Sequence, residues 1–495
     1  MALTSSADLS EARLREAIEA SARVARADES PRVLAVAVPL ADCDPLAGFA
    51  RFESEDRFYW EQAARGLALA GSGAVLVHEA QAEDAGFGAT AAHAASTGAA
   101  IADAFRRIDC VGGAAPLFVG GFAFEARGGA VGDWERFPAG RMVLPEVLLR
   151  REAGHSVATV CIEVEPGADP DPLLHRLQQR IERARGFEAA NGASADFGAP
   201  ASPPATGRGA EYRVVADRDH ATFWGQVEAA LTSIRVADLE KVVLARSLEV
   251  THPGRFDVAS FLHELRVLYP HCTVLACGRG EDTLVAASPE LLVSLDGGDV
   301  ESCALAGSAA RGRSPEEDAA LGQALRESKK EQAEHEAVVR AIRAGLAPWA
   351  GDLQGPEAPD LMQVLGIQHL STRLRGRLRA ERSDARVLDL VASLHPTPAV
   401  GGLPRAAALD WIRDHEALDR GWYAGPVGWV DASGGGEFWL ALRSALVRNA
   451  EPGGSGHSRA RLFAGAGLVQ GSQPDAELRE TRLKLRALLA PLTEI

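Results

Sequence analysis

The chain alternates between segments with a two-residue hydrophobic period and segments with a helical one. Alternating apolar and polar positions predict strands, as at 33–39 and in the two halves of 141–164, which flank a hairpin turn at Glu152-Ala-Gly154. Apolar residues three or four positions apart predict helices, as at 8–27 and 474–490. Because strands and helices come in uneven groups, the pattern favours an α+β fold with antiparallel sheets over a doubly wound parallel sheet.

The same two periods predict the remaining elements. Helices are expected at 89–107, 171–186, 218–236, 315–347 and 404–417, and strands at 73–78, 116–124, 241–250, 272–278, 283–287, 291–296, 367–378, 425–431, 437–448 and 459–468. Residues 187–210 are rich in Ala, Gly, Ser and Pro and predict a long surface loop. This loop would end an N-terminal portion, 1–210, before a second region, 211–495. It need not be a domain boundary, because a loop of this length can also be an insertion within one domain.

Composition and charge exclude several classes of protein. The formal net charge of −16 argues against a general nucleic-acid binder, which would carry a basic stripe. Six cysteines without a CxxC pair do not form a disulfide framework in a chain of 495 residues. The first residues contain no apolar run that would predict a signal peptide, and no apolar stretch reaches the roughly 18 residues of a membrane helix. We therefore predict a cytoplasmic protein without a membrane partner.

Two predicted helices carry acidic stripes. Glu327, Glu331 and Glu334 share one face of the helix at 315–347, and Glu477 and Glu480 share a face of the last helix with Lys484. Each stripe alone is also typical of a solvated helix face. If the two stripes face each other, their carboxylates repel and require a cation, for which Mg²⁺ with oxygen ligands is suited.

A lysine and a glutamate stand inside otherwise apolar segments. Lys241 opens the run Lys241-Val-Val-Leu-Ala-Arg246, where partial burial would lower the pKa of its amine and allow it to act as a base. The other interpretation is a strand-end lysine with its ammonium in water. Glu290 follows Pro289 and precedes an apolar run, which would suit a general acid with a raised pKa. A glutamate at the edge of a turn is the alternative.

Two glycine-rich segments and one arginine complete the candidates. Leu305-Ala-Gly-Ser308 and Ala464-Gly-Ala-Gly467 are each expected to end or interrupt a strand, where glycine allows a ligand close to the backbone. Plain turns are the alternative. Arg443 is predicted to lie inside an apolar strand, where a guanidinium needs an anionic partner, either a ligand or a structural ion pair.

Together these residues resemble the chorismate-utilising enzymes, and among them the isochorismate synthases. The resemblance covers about residues 211–495 and rests on nine motifs in family order. They are Glu240-Lys-Val-Val-Leu-Ala-Arg246, Ala287-Ser-Pro-Glu-Leu-Leu292, Leu305-Ala-Gly-Ser308, Glu331-Gln-Ala-Glu-His335, His369-Leu370, Leu394-His-Pro-Thr-Pro-Ala-Val-Gly-Gly-Leu-Pro404, Tyr423-Ala-Gly-Pro-Val-Gly428, Phe463-Ala-Gly-Ala-Gly467 and Glu477-Leu-Arg-Glu-Thr481. The fold that it implies is one large α+β domain, in which two antiparallel sheets pack together with helices around them.

The resemblance implies a reaction and a metal. Lys241 would deprotonate a water that attacks C2 of chorismate, and Glu290 would protonate the departing C4 hydroxyl, giving isochorismate. Mg²⁺ would hold the ring carboxylate, near Lys484. Its implied direct ligands are Glu334 and Glu480, and Glu331 and Glu477 would bind its waters.

It also implies a set of substrate contacts. Arg443 and Tyr423 would bind the enolpyruvyl carboxylate, aided by backbone N–H groups near Gly465 and Gly467, and Ser308, His369 and Ala399 would line the ring. Among relatives, aminating synthases usually have glutamine at the position of Lys241, so no glutaminase partner is expected. Salicylate synthases keep the lysine but tend to have threonine at the position of Ala399.

The weaker likeness of the N-terminal part, from Arg51 to Trp60 and at 71–74, favours the menaquinone-pathway type of isochorismate synthase. A siderophore-pathway isochorismate synthase and a salicylate synthase are the alternatives. The chain is expected to act as a monomer or a homodimer.

Overall fold

The structure, a computed structural model, describes residues 9–80, 89–125, 132–188, 212–451 and 456–493. Its helices are α1 (Glu11–Ala27), α2 (Pro45–Ala50), α3 (Ala89–Phe105), α4 (Pro170–Arg185), α5 (His220–Arg235), α6 (Val258–Leu268), α7 (Pro315–Glu327), α8 (Lys329–Leu346), α9 (Val387–Leu394), α10 (Arg405–His415) and α11 (Pro474–Thr493). Its strands are β1 (Arg32–Leu40), β2 (Asp56–Gln62), β3 (Leu67–Ser72), β4 (Leu76–Ala80), β5 (Ile108–Val111), β6 (Phe118–Phe122), β7 (Gly140–Leu144), β8 (Val147–Glu152), β9 (His155–Val164), β10 (Arg213–Ala216), β11 (Lys241–His252), β12 (Thr273–Arg279), β13 (Asp282–Ser288), β14 (Leu291–Asp296), β15 (Asp299–Ala310), β16 (Asp360–Val364), β17 (Ile367–Arg377), β18 (Gly402–Leu403), β19 (Pro426–Val430), β20 (Gly436–Leu440), β21 (Ser444–Arg448) and β22 (Ser458–Val469).

These strands form two sheets, which confirms the predicted α+β fold. The larger sheet has the order β10-β11-β22-β21-β13-β12-β2-β3-β8-β9-β1-β5, with the short β18 beside β11. The smaller sheet has the order β16-β17-β15-β14-β20-β19-β6-β7-β4. Pairing is antiparallel except between β1 and β5, which run parallel. Both sheets take strands from before residue 189 and from after residue 211.

A continuous apolar core joins the facing sides of the two sheets. Trp60 of the larger sheet and Phe118 and Phe438 of the smaller one are completely buried in it. Each such side chain stabilises the fold by about 1.5–3 kcal/mol through the apolar surface that it removes from water. A second apolar cluster lies on the outer side of the larger sheet, under α1, α2, α4, α6 and α11.

The single helix predicted at 315–347 is wrong: the structure has two helices, α7 and α8. Ser328 between them adopts an extended conformation, and its hydroxyl accepts the backbone N–H of Glu331. Serine is a favoured N-cap because its oxygen satisfies a free amide in the first turn, so this residue starts a new helix. Glu327 therefore ends α7 and does not belong to the acidic stripe of α8.

The strand predicted at 437–448 is also two strands, β20 and β21, and they belong to different sheets. Arg443 lies in the crossing between them with a positive φ of 47°, so it is not inside a strand as predicted. Gly307 does interrupt β15, because the register shifts there and its φ is 74°. The segment Ala464–Gly467, by contrast, lies within β22 and pairs with β11 without a break.

The predicted loop at 187–210 lies outside the described residues beyond Glu188, so the division at that point stays a prediction. Across the described ranges, we find no helix with the length and apolar character that crossing a membrane requires.

Candidate active site

A cavity opens where the two sheets exchange strands. The chain crosses between sheets at Pro289–Glu290, after β13, and crosses back at Leu442–Arg443, before β21. The two crossings are bonded to each other, since the amide of Ala287 donates to the carbonyl of Arg443. With its mouth, the cavity encloses about 720 Å³. Twelve of the predicted site residues line it: Lys241, Glu290, Ser308, Glu334, His369, Ala399, Tyr423, Arg443, Gly465, Gly467, Glu480 and Lys484.

Lys241 is buried in the cavity wall, with 2% of its surface exposed. As the first residue of β11 it pairs with Val469 on one side and Leu403 on the other, so neighbouring strands cover it. Its Nζ lies 2.9 Å from Oε1 of Glu334 on α8. The alternative of a strand-end lysine in water is therefore wrong.

Glu290 is equally buried, with 3% of its surface exposed. Burial raises its pKa to about 8, although the positive charges of Lys241 and Lys484 oppose the rise. A carboxyl with this pKa is mostly protonated at neutral pH and can donate a proton to a leaving group. Its neighbour Ser288 donates its hydroxyl to the carbonyl of Leu440 at 2.5 Å, which holds the crossing in place.

The two acidic stripes meet, which is the arrangement in which the sequence analysis expected a cation. Glu334 and Glu480 line the cavity, and Glu331 and Glu477 lie behind them. Burial raises the pKa of Glu331, and Glu334 adds to the rise while Lys330 opposes it. The pKa of Glu477 rises to about 7, first through burial and then through the charge of Glu480. The carboxylates of α8 and α11 thus act on one another electrostatically.

Three lysines neutralise these carboxylates. Lys241 contacts Glu334, and Lys484 contacts Glu480 at 2.7 Å. Lys330 lies 3.2 Å from Glu477 and 3.3 Å from the neighbouring Glu331. The sequence analysis missed Lys330, because a lysine in the first turn of a charged helix carries no pattern that separates it from surface lysines.

The carboxylates suit a hard cation. Their donors are all oxygens, and their mutual repulsion favours binding of a dication such as Mg²⁺. In the described part of the chain, no group of three or more His, Cys, Asp or Glu residues stands in a geometry that could hold a metal ion. Glu334 and Glu480 each contact a lysine. Glu334 and Glu480 face the cavity and would be the residues to hold the ion, with Glu331 and Glu477 behind them.

The cavity wall also presents a guanidinium. Arg443 is buried and donates from Nη2 to Nε2 of His369 at 2.9 Å, while its buried Nη1 has no hydrogen-bond partner among the described residues. A buried guanidinium N–H without a partner is unfavourable unless a ligand accepts from it. Arg443 is therefore placed to bind an anion in the cavity.

His369 connects Arg443 to Ser308. Burial and the charge of Arg443 lower the pKa of His369 far below its ordinary value, so the ring is neutral. Since Nε2 accepts from Arg443, the ring proton is on Nδ1, which lies 3.0 Å from the Ser308 hydroxyl and 3.3 Å from the Gly307 carbonyl. The amide of Ser308 donates to Glu331 at 3.1 Å, linking this part of the cavity wall to the carboxylates.

Gly465 and Gly467 turn their backbone toward the cavity. The amides of their strand partners Ala245 and Val243 bond on the far side of β11, to a carboxylate and a backbone carbonyl. In an antiparallel ladder, two facing residues that do not hydrogen-bond to each other both point their N–H and C=O groups away from the partner strand. The N–H and C=O groups of Gly465 and Gly467 therefore point away from β11. The carbonyl of Gly465 accordingly accepts from Lys484 at 2.8 Å. The N–H groups of both glycines lie on this same edge of β22. The pairing of β21 with this edge ends at Phe463, before the two glycines.

A family model described as "Chorismate binding enzyme" matches residues 16–493. The salicylate biosynthesis isochorismate synthase of Pseudomonas aeruginosa is 36% identical over 97% of this chain and 94% of its own length. Isochorismate synthase MenF of Bacillus subtilis is 34% identical over 76% of this chain and 74% of its own length. The solved structure of MenF, the menaquinone-specific isochorismate synthase from Escherichia coli, has the same fold, with a TM-score of 0.72 over 97% of this chain and 100% of that one at 23% identity. Every cavity residue falls within the family match.

Proposed function

Because the chain belongs to the chorismate-binding enzyme family, as its motifs predicted, we propose that it converts chorismate to isochorismate. The observation that carries the proposal is the pair Lys241 and Glu290, which face one cavity and are both almost completely buried. This isomerisation needs a base and an acid: the family resemblance gives Lys241 the role of base, and the raised pKa of Glu290 lets its carboxyl hold a proton at neutral pH.

The reaction balances with these two groups. Lys241 accepts a proton from a water whose oxygen forms a bond to C2 of the ring. The two ring double bonds each move by one position, and the bond between C4 and its hydroxyl breaks. Glu290 gives its proton to the departing hydroxyl, which leaves as water. Exchange with solvent then restores the proton on Glu290 and removes the one on Lys241.

Two parts of the cavity wall suit the two carboxylates of chorismate. Nη1 of Arg443, which has no acceptor among the described residues, would bind the enolpyruvyl carboxylate, with Tyr423 and the amides of Gly465 and Gly467 beside it. We propose that Mg²⁺ binds at Glu334 and Glu480, where, when bound, it would neutralise the ring carboxylate. The residues of the chain thereby orient the ring between base and acid.

Water addition without further chemistry is favoured over the activities of other relatives. Lys241 stands where aminating relatives usually have glutamine, which supports water as the nucleophile. Ala399 stands in the cavity wall where salicylate synthases tend to have threonine, which supports release of isochorismate without loss of pyruvate. The activity that these two positions favour is therefore that of an isomerase.

For the pathway, we keep menaquinone biosynthesis as the proposal, which the likeness to MenF of B. subtilis supports. Supply of isochorismate for salicylate is the second candidate, favoured by the P. aeruginosa protein, which matches over 97% of this chain. Deletion of the gene distinguishes the two: loss of menaquinone supports the first, and loss of salicylate with menaquinone unchanged supports the second.

The proposed activity is tested by product analysis after incubating the purified protein with chorismate and Mg²⁺, without an ammonia source. We expect isochorismate alone. Enzymatic release of salicylate and pyruvate would instead identify a salicylate synthase, and turnover that requires ammonia would refute the role given to Lys241.

A further inference from the structure

Glu416 and Arg420 form an ion pair buried from solvent just after α10. Their exposed fractions are 0% and 2%. Arg420 donates from Nε to Oε1 of Glu416 at 2.7 Å and from Nη2 to Oε2 at 2.5 Å. Burial opposes the charge of Arg420, but the carboxylate of Glu416 outweighs it and raises the pKa of the guanidinium. Such a pair is costly to bury unless further hydrogen bonds satisfy it, so the question is what else it binds.

The remaining hydrogen bonds of the pair go to backbone groups of two other segments. Arg420 donates from Nη2 to the carbonyl of Val243 and from Nη1 to the carbonyl of Val400, both at 2.8 Å. Oε2 of Glu416 accepts the amide of Ala245 at 2.7 Å. The guanidinium also stacks 4.3 Å above the ring of Phe124. The pair therefore joins β11 to the segment before β18.

Both carbonyls belong to the wall of the candidate active site. Val243 lies two residues from Lys241 on β11, and Val400 directly follows Ala399; all four line the cavity. The loop that holds Arg420 also carries Tyr423, whose amide donates to the Arg420 carbonyl at 2.8 Å. A single guanidinium thus links the strand of the proposed base to the segment expected to line the substrate ring.

On the basis of the proposed function, we propose that Arg420, held by Glu416, is a positioning residue that sets the separation between the Lys241 strand and the Ala399 segment. Arginine suits this role because its planar fork can reach two carbonyls and a carboxylate in fixed directions. A lysine keeps the charge, but its three N–H donors are all on one nitrogen and cannot reach the carboxylate and both carbonyls in these directions.

The test compares Arg420→Lys with wild type and with Arg107→Lys as a matched control. Arg107 pairs with Asp103 four residues earlier on the surface of α3, so its replacement leaves the cavity untouched. At a temperature where circular dichroism shows each protein fully folded, kcat and KM for chorismate are measured. Hydrogen exchange is followed in peptides covering 241–246 and 397–403, with 273–279 as the internal reference.

We expect Arg420→Lys to lower kcat/KM at least tenfold, with a raised KM, and to speed exchange in the first two peptides but not in the reference. Should it fail to fold, Glu416→Gln is the second variant, since it keeps an acceptor for the Ala245 amide while losing the charge. The same pattern is expected with a smaller amplitude.

Folded variants with wild-type kcat, KM and exchange would overturn the inference, as would a lowered melting temperature with unchanged kinetics. A wild-type protein that forms no isochorismate would overturn the proposed function and, with it, any effect of Arg420 on this reaction. Faster exchange in the variants would still support the link between the two segments.

Discussion

Nζ of Lys241 lies 2.9 Å from Oε1 of Glu334, so the proposed base contacts a proposed metal ligand directly. Both side chains lie in the wall of the same cavity, one at the start of a strand and the other on a helix. The base and the acidic stripes, which the sequence presents as separate features, form one continuous site. Changes to either partner are therefore expected to affect the other.

Replacing Lys241 by alanine should lower kcat/KM for isochorismate formation by about 10²–10⁴-fold, the usual contribution of a general base. The measurement is product formation by chromatography at saturating Mg²⁺. Lys329→Ala is the matched control, because Lys329 is exposed at the start of α8. A Lys241→Ala variant with full turnover would exclude the proposed base.

The pH dependence of kcat/KM should report Glu290. Its pKa is raised to about 8, so the proton that it donates is present below that pH and lost above it. We expect activity to decline above pH 8 in the wild type. Glu290→Gln should lower kcat/KM by about 10²–10⁴-fold and abolish this decline. A decline of the same shape in the variant would assign it to another group.

Glu290→Gln should also stabilise the protein at alkaline pH. The pKa of Glu290 rises from 4.5 in the unfolded chain to about 8 in the fold, so folding favours the protonated form. As pH increases between these values the unfolded state gains from ionisation, and stability decreases until it levels off above pH 8. The neutral amide avoids this loss. We expect a gain on the order of 1–3 kcal/mol at pH 8, measured by urea unfolding, and little difference near pH 4. Equal stabilities of Glu290→Gln and the wild type at both pH values would contradict the raised pKa of Glu290.

Replacing Lys330 by methionine should tighten the binding of Mg²⁺. Lys330 contacts Glu331 and Glu477, and its removal leaves their repulsion uncompensated until a cation binds. We expect the Mg²⁺ concentration for half-maximal activity to fall several-fold, and the Kd from calorimetry to fall with it.

Glu334→Gln should raise the Mg²⁺ concentration for half-maximal activity and the Kd for Mg²⁺ at least tenfold, with Glu327→Gln at the exposed end of α7 as its control. A Glu334→Gln variant with unchanged Mg²⁺ dependence would refute the metal assignment.

Gly467→Ala should impair the site without an added charge. A Cβ at this position would lie 2.3 Å from Oε1 of Glu334, so this carboxylate must move, and 3.2 Å from Cε of Lys241, which must shift slightly. Displacement of about 1 Å in a catalytic group can reduce activity 10²-fold, and a loss of this order is expected in kcat/KM. Gly225→Ala in α5 is the control, because no atom lies within 4 Å of its added Cβ. Wild-type kinetics in Gly467→Ala would show that Glu334 need not occupy this place.

The local sequence predicted most of the secondary structure because hydrophobic periodicity is a local property. It missed several elements, among them α6 and β15, and it merged neighbouring elements where one residue changes the direction of the chain. Ser328 caps a new helix inside a continuous helical pattern, and Arg443 separates two strands that read as one apolar run. Around Arg443 the apolar run continues across the break, and residues 326–332 around Ser328 are all polar, so periodicity marks neither break.

The amino-acid pattern alone identified the residues available for chemistry: a lysine and a glutamate in apolar segments, acidic residues at helical spacing and an arginine among apolar neighbours. How these residues act depends on the folded arrangement. It brings Lys330 to Glu477, 147 residues away along the chain, and buries Glu290 deeply enough to raise its pKa to about 8. It also aims Arg420 at two backbone carbonyls of the cavity wall. Contacts and pKa values of this kind depend on which distant elements cover a residue, and that is fixed by the crossings between the two sheets.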